Sequence, residues 1–268
     1  MQKLGQHFLN NATVIKKIIG AVEFEKGSIV IEIGPGRGAL TVPLAAACTT
    51  AQCHLIAIEK DAVLANVLAA ELAREKIKGI EIVMGDALKL LPKAIATATG
   101  ANEHYRYAVV GNIPYYITGK LLRIISEAAT KPQQCVFMLQ REVAERICAA
   151  PPAMNRLAAS VQFWADAKII TAVPKEDFIP PPKVDSAVIV LTEKSGTPPI
   201  DTDRYYQTVR AVFAQPGKTI LNNVSASKKD LPKYEAEARL KKLGIMPGSR
   251  PHDLSVAQIA AIAGALWG

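Results

Sequence analysis

The chain has 268 residues, half of them hydrophobic and 21% charged, which suits one large domain or a domain with a small companion, each with a real core. Its net charge of +8 fits a nucleic-acid partner or a merely basic surface, and charge alone does not choose between them. Cys48, Cys53, Cys135 and Cys148 form no C-x-x-C pair and the four histidines are scattered, so neither a zinc site nor a disulfide framework is expected.

The N-terminus MQKLGQHFL lacks a signal-peptide apolar core, and no run reaches the ~18 apolar residues of a membrane span, so a soluble, cytoplasmic protein is expected. In chain order, residues 28–33 (SIVIEI) read as a strand, followed at once by GPGRG and the helix-prone ALTVPLAAAC. Strand-like 55–58 precedes a helical pattern over 61–76, and strand-like 80–84 precedes Gly85-Asp86. Strand-like 107–110 leads to a helix near 118–129, and 135–139 leads into 141–148. This alternation predicts a parallel sheet wrapped by helices, with 188–191 as a late strand closing its edge. Pro174, Pro180, Pro181 and Pro182 make 174–182 an extended, rigid loop. SGTPPIDTD (195–203) reads as a linker. Beyond it, Arg204 to Arg250 hold ten Lys or Arg against three acids with helical periodicity and no convincing strand. The expected domains are therefore 1–194, built on the sheet, and 195–268, small, basic and helical.

The first strand ends in Glu32-Ile33-Gly34-Pro35-Gly36-Arg37-Gly38 at a strand-to-helix turn, where glycines let the backbone approach a ligand. Such turns alone are weakly specific. The second strand ends in Glu59, placed to accept ribose hydroxyls, although Glu59-Lys60-Asp61 also suits a helix start. Asp86, after the third strand, is placed for an adenine amine; alone it reads as a turn residue. Together these residues point to an adenosine-containing cofactor, either NAD or S-adenosyl-L-methionine, and the G-x-G-x-G spacing favours the latter. Asn112-Ile113-Pro114-Tyr115 then lies at the C-terminal end of the fourth strand, where open α/β sheets bind ligands. Methylating an exocyclic amine is hard because its lone pair is delocalised into the ring. The Asn112 side-chain oxygen and a backbone carbonyl such as that of Ile113 can accept both N–H groups and localise that pair. Pro114 stiffens the carbonyl and Tyr115 offers a face for an extruded base. A turn capped by aromatics accounts for Pro and Tyr here but not for Asn.

These motifs resemble those of the KsgA/RsmA ribosomal RNA adenine dimethyltransferase family over nearly the whole chain. Gly5-Gln6-His7-Phe8-Leu9 resembles its N-terminal G-Q-[NH]-F-L, Glu32–Gly36 its glycine motif, and Asn112–Tyr115 its N-[LI]-P-Y. Phe178-Ile179-Pro180-Pro181-Pro182-Lys183-Val184-Asp185-Ser186 resembles F-x-P-x-P-K-V-x-S, and Arg250-Pro251-His252-Asp253-Leu254-Ser255 resembles R-x-x-[ED]-L-S. The resemblance implies a Rossmann-like class I S-adenosylmethionine-dependent methyltransferase sheet with a small C-terminal all-helical, RNA-binding domain. It implies a cofactor site of His7, Leu9, Gly34, Gly36, Glu59 (ribose), Asp86 with Ala87 (adenine) and Asn112. It places Asn112, Ile113, Pro114, Tyr115 and Phe178 at the catalytic centre, with Tyr115 and Phe178 on opposite faces of the target base. The implied reaction is N6,N6-dimethylation of two adjacent adenosines near the 3' end of 16S RNA, by a monomer acting on the immature small ribosomal subunit.

Two departures bear on RNA grip. Gln215-Pro216-Gly217-Lys218-Thr219 stands for the family's Q-R-R-K-T, and Met154-Asn155 stands where Tyr-Gly usually precedes Arg-Leu. Alternatives are a large-subunit adenine methyltransferase of the erythromycin-resistance type, a non-catalytic assembly factor that binds RNA, and a nicotinamide oxidoreductase, for which no hydride-transfer constellation is evident.

Overall fold

The computed structural model describes residues 7–99, 106–196 and 200–266. Gly5 and Gln6 of the N-terminal motif, and residues 197–199 of the expected linker, lie outside the described residues.

A two-residue strand β1 (Phe8–Leu9) leads into α1 (Ala12–Ala21), which starts where the Asn11 side chain accepts the N–H groups of Thr13 and Val14. There follow β2 (Ile29–Ile33), α2 (Thr41–Ala51), β3 (His54–Glu59), α3 (Ala62–Arg74), β4 (Ile80–Met84) and α4 (Ala87–Thr99). Asp61 caps α3 in the same way, through the N–H groups of Val63 and Leu64. Next come β5 (Tyr107–Asn112), α5 (Thr118–Glu127), β6 (Gln134–Gln140) and α6 (Arg141–Ile147). The remaining elements are α7 (Arg156–Val161), β7 (Ala165–Val173), β8 (Phe178–Ile179), β9 (Ser186–Glu193), and helices α8 (Thr202–Val212), α9 (Ile220–Ser227), α10 (Lys233–Lys242) and α11 (Val256–Leu266).

Seven strands form one sheet in the order β4-β3-β2-β5-β6-β9-β7. The pairs β3–β4, β2–β3, β2–β5 and β5–β6 are parallel, and β9 runs antiparallel to β6. The expected mostly parallel sheet with helices is therefore what forms. One core cluster packs Val30, Leu55, Ala108, Val110, Val136 and Val188 of the sheet against Val14 and Ile18 of α1 and Leu44 and Cys48 of α2.

Two expectations need correction. Residues 188–191 do not close the sheet edge: they belong to β9, which lies between β6 and β7, and β7 is the outer strand. Asp166 and Lys168 interrupt the apolar run of β7, as befits a strand with one open side, and so hide it in the sequence. The stretch 174–182 is not wholly loop either. A 3-10 turn at Lys175–Asp177 precedes β8, which pairs antiparallel with β1 through Phe8↔Ile179 and Leu9↔Phe178. Strands of two residues carry no periodic signal.

The chain divides into two compact units. Residues Met1–Ala144 and Asp166–Glu193 carry the sheet; Glu145–Ala165 and the chain from Lys194 form the other. The expected boundary at 194/195 thus assigns Glu145–Ala165 to the wrong side. That segment brings Met154, Ala158, Ala159 and Phe163 into a core with Tyr205, Val209, Val224, Leu240 and Ile259. Phe163 stacks on Tyr205 at 3.8 Å between centroids, and the Tyr205 hydroxyl donates to the Ala159 carbonyl at 2.9 Å. The Met154-Asn155 departure has a local reason: Met154 is buried in this core, and Asn155 caps α7 through the N–H groups of Leu157 and Ala158. Between 200 and 266 the described residues form helices and no strand. The Pro216-Gly217 loop is exposed and stitched by Asn223, which exchanges hydrogen bonds with the backbone of Gln215.

A Cβ at Gly111 of β5 would lie 2.5 Å from the Ile33 carbonyl oxygen of β2, a backbone atom that cannot swing away. Gly111→Ala should destabilise folding by about 3 kcal/mol through this overpacking. Gly20→Ala, in α1 with open space around it, should be neutral or stabilising by roughly 0.5 kcal/mol. Denaturant melts of both variants, compared at constant m-value, check the contrast.

Candidate active site

Because β2, β3, β4 and β5 run in parallel, their C-terminal ends share one edge of the sheet. From β2 the order runs outward through β3 on one side and β5 on the other, so a crevice opens between the loops that follow these strands. A cavity of about 670 Å3 occupies this place. His7, Leu9, Gly34, Gly36, Glu59, Asp86, Ala87, Asn112, Ile113, Pro114, Tyr115 and Phe178 all line it.

The glycine turn uses conformations that side chains resist. Gly34 and Gly36 have φ of +68° and +58°, and a Cβ on Gly36 would come within 3.1 Å of the Phe8 ring. Gly34 lies beside β5, its absent Cβ 3.9 Å from the Asn112 carbonyl oxygen. Arg37 extends from the same turn with its guanidinium 4.6 Å from the Phe8 ring centroid, a cation–π contact that binds β1 to the turn.

Three carboxylates reach the cavity from three successive strands, and their surroundings differ. Glu59 is buried, with Oε2 accepting the Gly36 N–H at 2.9 Å and Oε1 the Asp61 N–H at 2.8 Å. Asp86 Oδ2 accepts from Lys60 Nζ at 3.0 Å and Oδ1 from the Leu88 N–H at 3.0 Å. The hydrogen bond from Lys60 holds the Asp86 carboxyl below its usual range. Glu32, 1% exposed within β2, has Oε2 without a hydrogen-bond partner, as has the Thr41 hydroxyl at the start of α2. Burial drives its pKa from 4.5 to about 8; nearby Thr41 pulls it down and the charge of Glu59 pushes it up.

On the β5 side, Asn112 Nδ2 donates to the His7 carbonyl at 3.0 Å, which turns the amide and leaves Oδ1 as the acceptor not used by that contact. The Ile113 N–H donates to Met138 of β6, and the Pro114 carbonyl accepts the Ile117 N–H, so both ends of the N-I-P-Y turn are fixed. The Tyr115 hydroxyl lies 3.3 Å from Ser186 Oγ, and its ring is roughly parallel to that of His7 at 6.4 Å between centroids. His7 Nδ1 also lies 2.8 Å from the Pro180 carbonyl oxygen. Phe178 is almost wholly buried, anchored by its place in β8.

Glu32, Phe8, Arg37, Lys60, Tyr116 and Ile179, to which the sequence assigns no individual site role, line the same cavity. Glu32 was detectable as the one charge within a β-branched run. The Phe8–Arg37 contact was not, since nothing in either local sequence announces the other.

Comparison with known proteins gives a consistent result. The profile of the family described as ribosomal RNA adenine dimethylase matches residues 1–266. The chain is 37% identical to the ribosomal RNA small subunit methyltransferase A of Pelotomaculum thermopropionicum, over 98% of this chain and 90% of that one. A crystal structure of a dimethyladenosine transferase from Plasmodium falciparum superposes with a TM-score of 0.77 at 25% identity, covering 96% of each chain. The 23S rRNA methyltransferase ErmE superposes with a TM-score of 0.73 at 26% identity, over 97% of this chain and 100% of that one.

Glu32 makes the ligand-free protein pH-sensitive. Its folded pKa lies above the ordinary 4.5, so between pH 4.5 and about 8 the folded state keeps a proton that the unfolded chain has released. The stability linked to this proton is fully present below about pH 4.5 and is lost as pH rises through about 8. Glu32→Gln should remove that slope and leave the protein more stable than wild type at pH 8.5, by on the order of 3 kcal/mol. Urea melts of both proteins from pH 5 to 9 measure it.

Proposed function

The chain belongs to the ribosomal RNA adenine dimethylase family, and on that premise we propose how its cavity performs the reaction. The protein is an S-adenosylmethionine-dependent adenine N6,N6-dimethyltransferase of small-subunit ribosomal RNA. The residues present fit the cofactor. Two left-handed glycines let a ligand lie against the backbone, Glu59 is fixed by two N–H groups with lone pairs left for a ribose, and Glu32 offers an unpaired oxygen. Asp86 with Ala87 would hold the adenine of the cofactor, and His7 and Leu9 would cover it. When bound, S-adenosylmethionine supplies a methyl group on a positively charged sulfur.

The observation that carries the reading is the Asn112 amide on the cavity wall, held through Nδ2 by the His7 carbonyl, a contact that does not use Oδ1. Asn112 Oδ1 and the Ile113 carbonyl accept the two N–H groups of the target adenine, drawing its lone pair out of the ring and aligning it for in-line attack. Tyr115 and Phe178 hold the extruded base by its faces. The amine becomes acidic once methylated, so no dedicated general base is required. The substrate is RNA of the immature small subunit, two adjacent adenosines near its 3' end, and the protein acts in the cytoplasm as a monomer. The basic helical unit grips phosphates and positions the RNA without reading its bases. ErmE, whose name concerns 23S RNA, has a similar fold, so mapping the methylated nucleosides to small- or large-subunit RNA is the deciding experiment.

Asn112→Ala should slow methyl transfer by about 10²–10³. Tyr115→Ala should weaken capture of the base by roughly 1–3 kcal/mol while leaving cofactor affinity nearly intact. Phe178→Ala should weaken it too while also destabilising the fold by about 3–5 kcal/mol, because Phe178 is a buried core side chain. A monomethylated amine keeps one N–H for two acceptors, so Asn112→Ser should accumulate monomethyladenosine. Single-turnover kinetics with nucleoside analysis reads all three, and dimethylation by Asn112→Ala at the wild-type rate would refute the assigned role. RNA affinity should fall with salt by roughly 0.7–0.9 log units per tenfold for each phosphate neutralised. Filter binding across a salt series tests the electrostatic grip.

A further inference from the structure

Of the three carboxylates on the cavity wall, Glu59 and Asp86 have both oxygens hydrogen-bonded, whereas Glu32 keeps Oε2 bare at 1% exposure. A fold that merely tolerated a polar residue there would pair it, since buried polar groups are almost always satisfied. Position 32 is also flanked in register by Ala57 of β3 and Val110 of β5, where an apolar side chain would pack without cost. We propose that Glu32 is a proton-linked charge sensor for the cofactor: it is neutral when the cavity holds no net cation, and releases its proton when S-adenosylmethionine binds. This inference rests on the cofactor assigned above.

The charges make the device directional. S-adenosylmethionine carries a sulfonium and an ammonium against one carboxylate, a net charge of +1. The product, S-adenosylhomocysteine, has a neutral thioether sulfur and no net charge. An opposite charge within about 4–6 Å draws a carboxyl pKa down by roughly one to three. A cation held against this wall would therefore bring Glu32 from about 8 into the range where it is ionised at neutral pH. The proton leaves to the buffer on cofactor binding, and a proton returns from solvent once the sulfur is neutral. Substrate is thereby favoured over product at the cost of one proton exchanged. The groups that act on Glu32 are Thr41 from α2 and Glu59 from β3; β5 presents Asn112, and His7, Arg37, Lys60 and Asp86 line the rest of the cavity.

Calorimetry of the full chain with S-adenosylmethionine, in two pH 7 buffers of different ionisation enthalpy, counts the protons released. Wild type should release nearly one more proton than Glu32→Gln. Its affinity for S-adenosylmethionine should rise, relative to the variant, by up to about tenfold per pH unit between pH 6 and 7.5 and level off above about 8.5. The cofactor's own amino group titrates at about 7.7–8.0 but is common to both proteins, so the difference reports on Glu32. With S-adenosylhomocysteine the two proteins should exchange equal numbers of protons. Glu32→Asp, which keeps a carboxyl, should retain the proton release. Equal proton counts for wild type and Glu32→Gln on S-adenosylmethionine would overturn the sensor while leaving the cofactor assignment intact. No binding of S-adenosylmethionine by wild type would instead overturn the cofactor assignment, and the sensor with it. Should Glu32→Gln fail to fold, the wild-type proton counts for cofactor and product decide alone, and equal counts refute the proposal.

Discussion

The close parallel pairing of β2 with β5 is the constraint from which the cavity follows. These strands are far apart in sequence, yet Gly111 must come so near the Ile33 carbonyl that no side chain fits between them. This contact places the glycine turn after β2 beside the N-I-P-Y turn after β5. The glycine-rich backbone and the Asn112 amide then share one wall, with Gly34 next to the Asn112 carbonyl. The strand order diverges at the same point, so the loops splay and leave room for ligands.

Along the chain the protein separates its charges. The chain is basic as a whole, and ten of its cations fall between Arg204 and Arg250, yet Glu32, Glu59 and Asp86 converge on the cavity. Each is delivered by a different strand or the turn after it, and each is treated differently: one with a bare oxygen and its pKa pushed up by burial, one held by backbone N–H groups, one paired with Lys60. An RNA backbone and a cationic cofactor want opposite fields. The cations cluster in the helical unit and the carboxylates in the cavity of the sheet unit.

Much of this was legible in the sequence because it rests on local chemistry. The β-branched runs of β2, β3, β4 and β5 end in residues that a sheet delivers to one edge, so Gly34, Glu59, Asp86 and Asn112 could be expected together. What stayed hidden depends on contacts made across the chain. The pairing of β1 with β8 joins two-residue strands too short for any pattern, and the polar residues of β7 masked an outer strand. The segment Glu145–Ala165 looked like a continuation of the sheet region, and only the fit of Phe163 against Tyr205 shows which core it serves. The bare oxygen of Glu32 is likewise a fact about its neighbours, not about its place in E-I-G-P-G.

The β1–β8 pairing also bears on how the polypeptide matures. His7 contacts Pro180, and Phe8 and Leu9 pair with Ile179 and Phe178, so one wall of the cavity is built from the two ends of the sheet unit's sequence. During synthesis the first of these residues emerges long before its partners, and contacts of such wide sequence separation slow folding because a long loop must close first. In the meantime the chain must leave the sheet unit at Glu145 and return at Asp166. A nascent chain can therefore assemble β2 to β6 while the pocket still lacks its cover. That wall of the cavity is complete only once the chain has been made through Pro180.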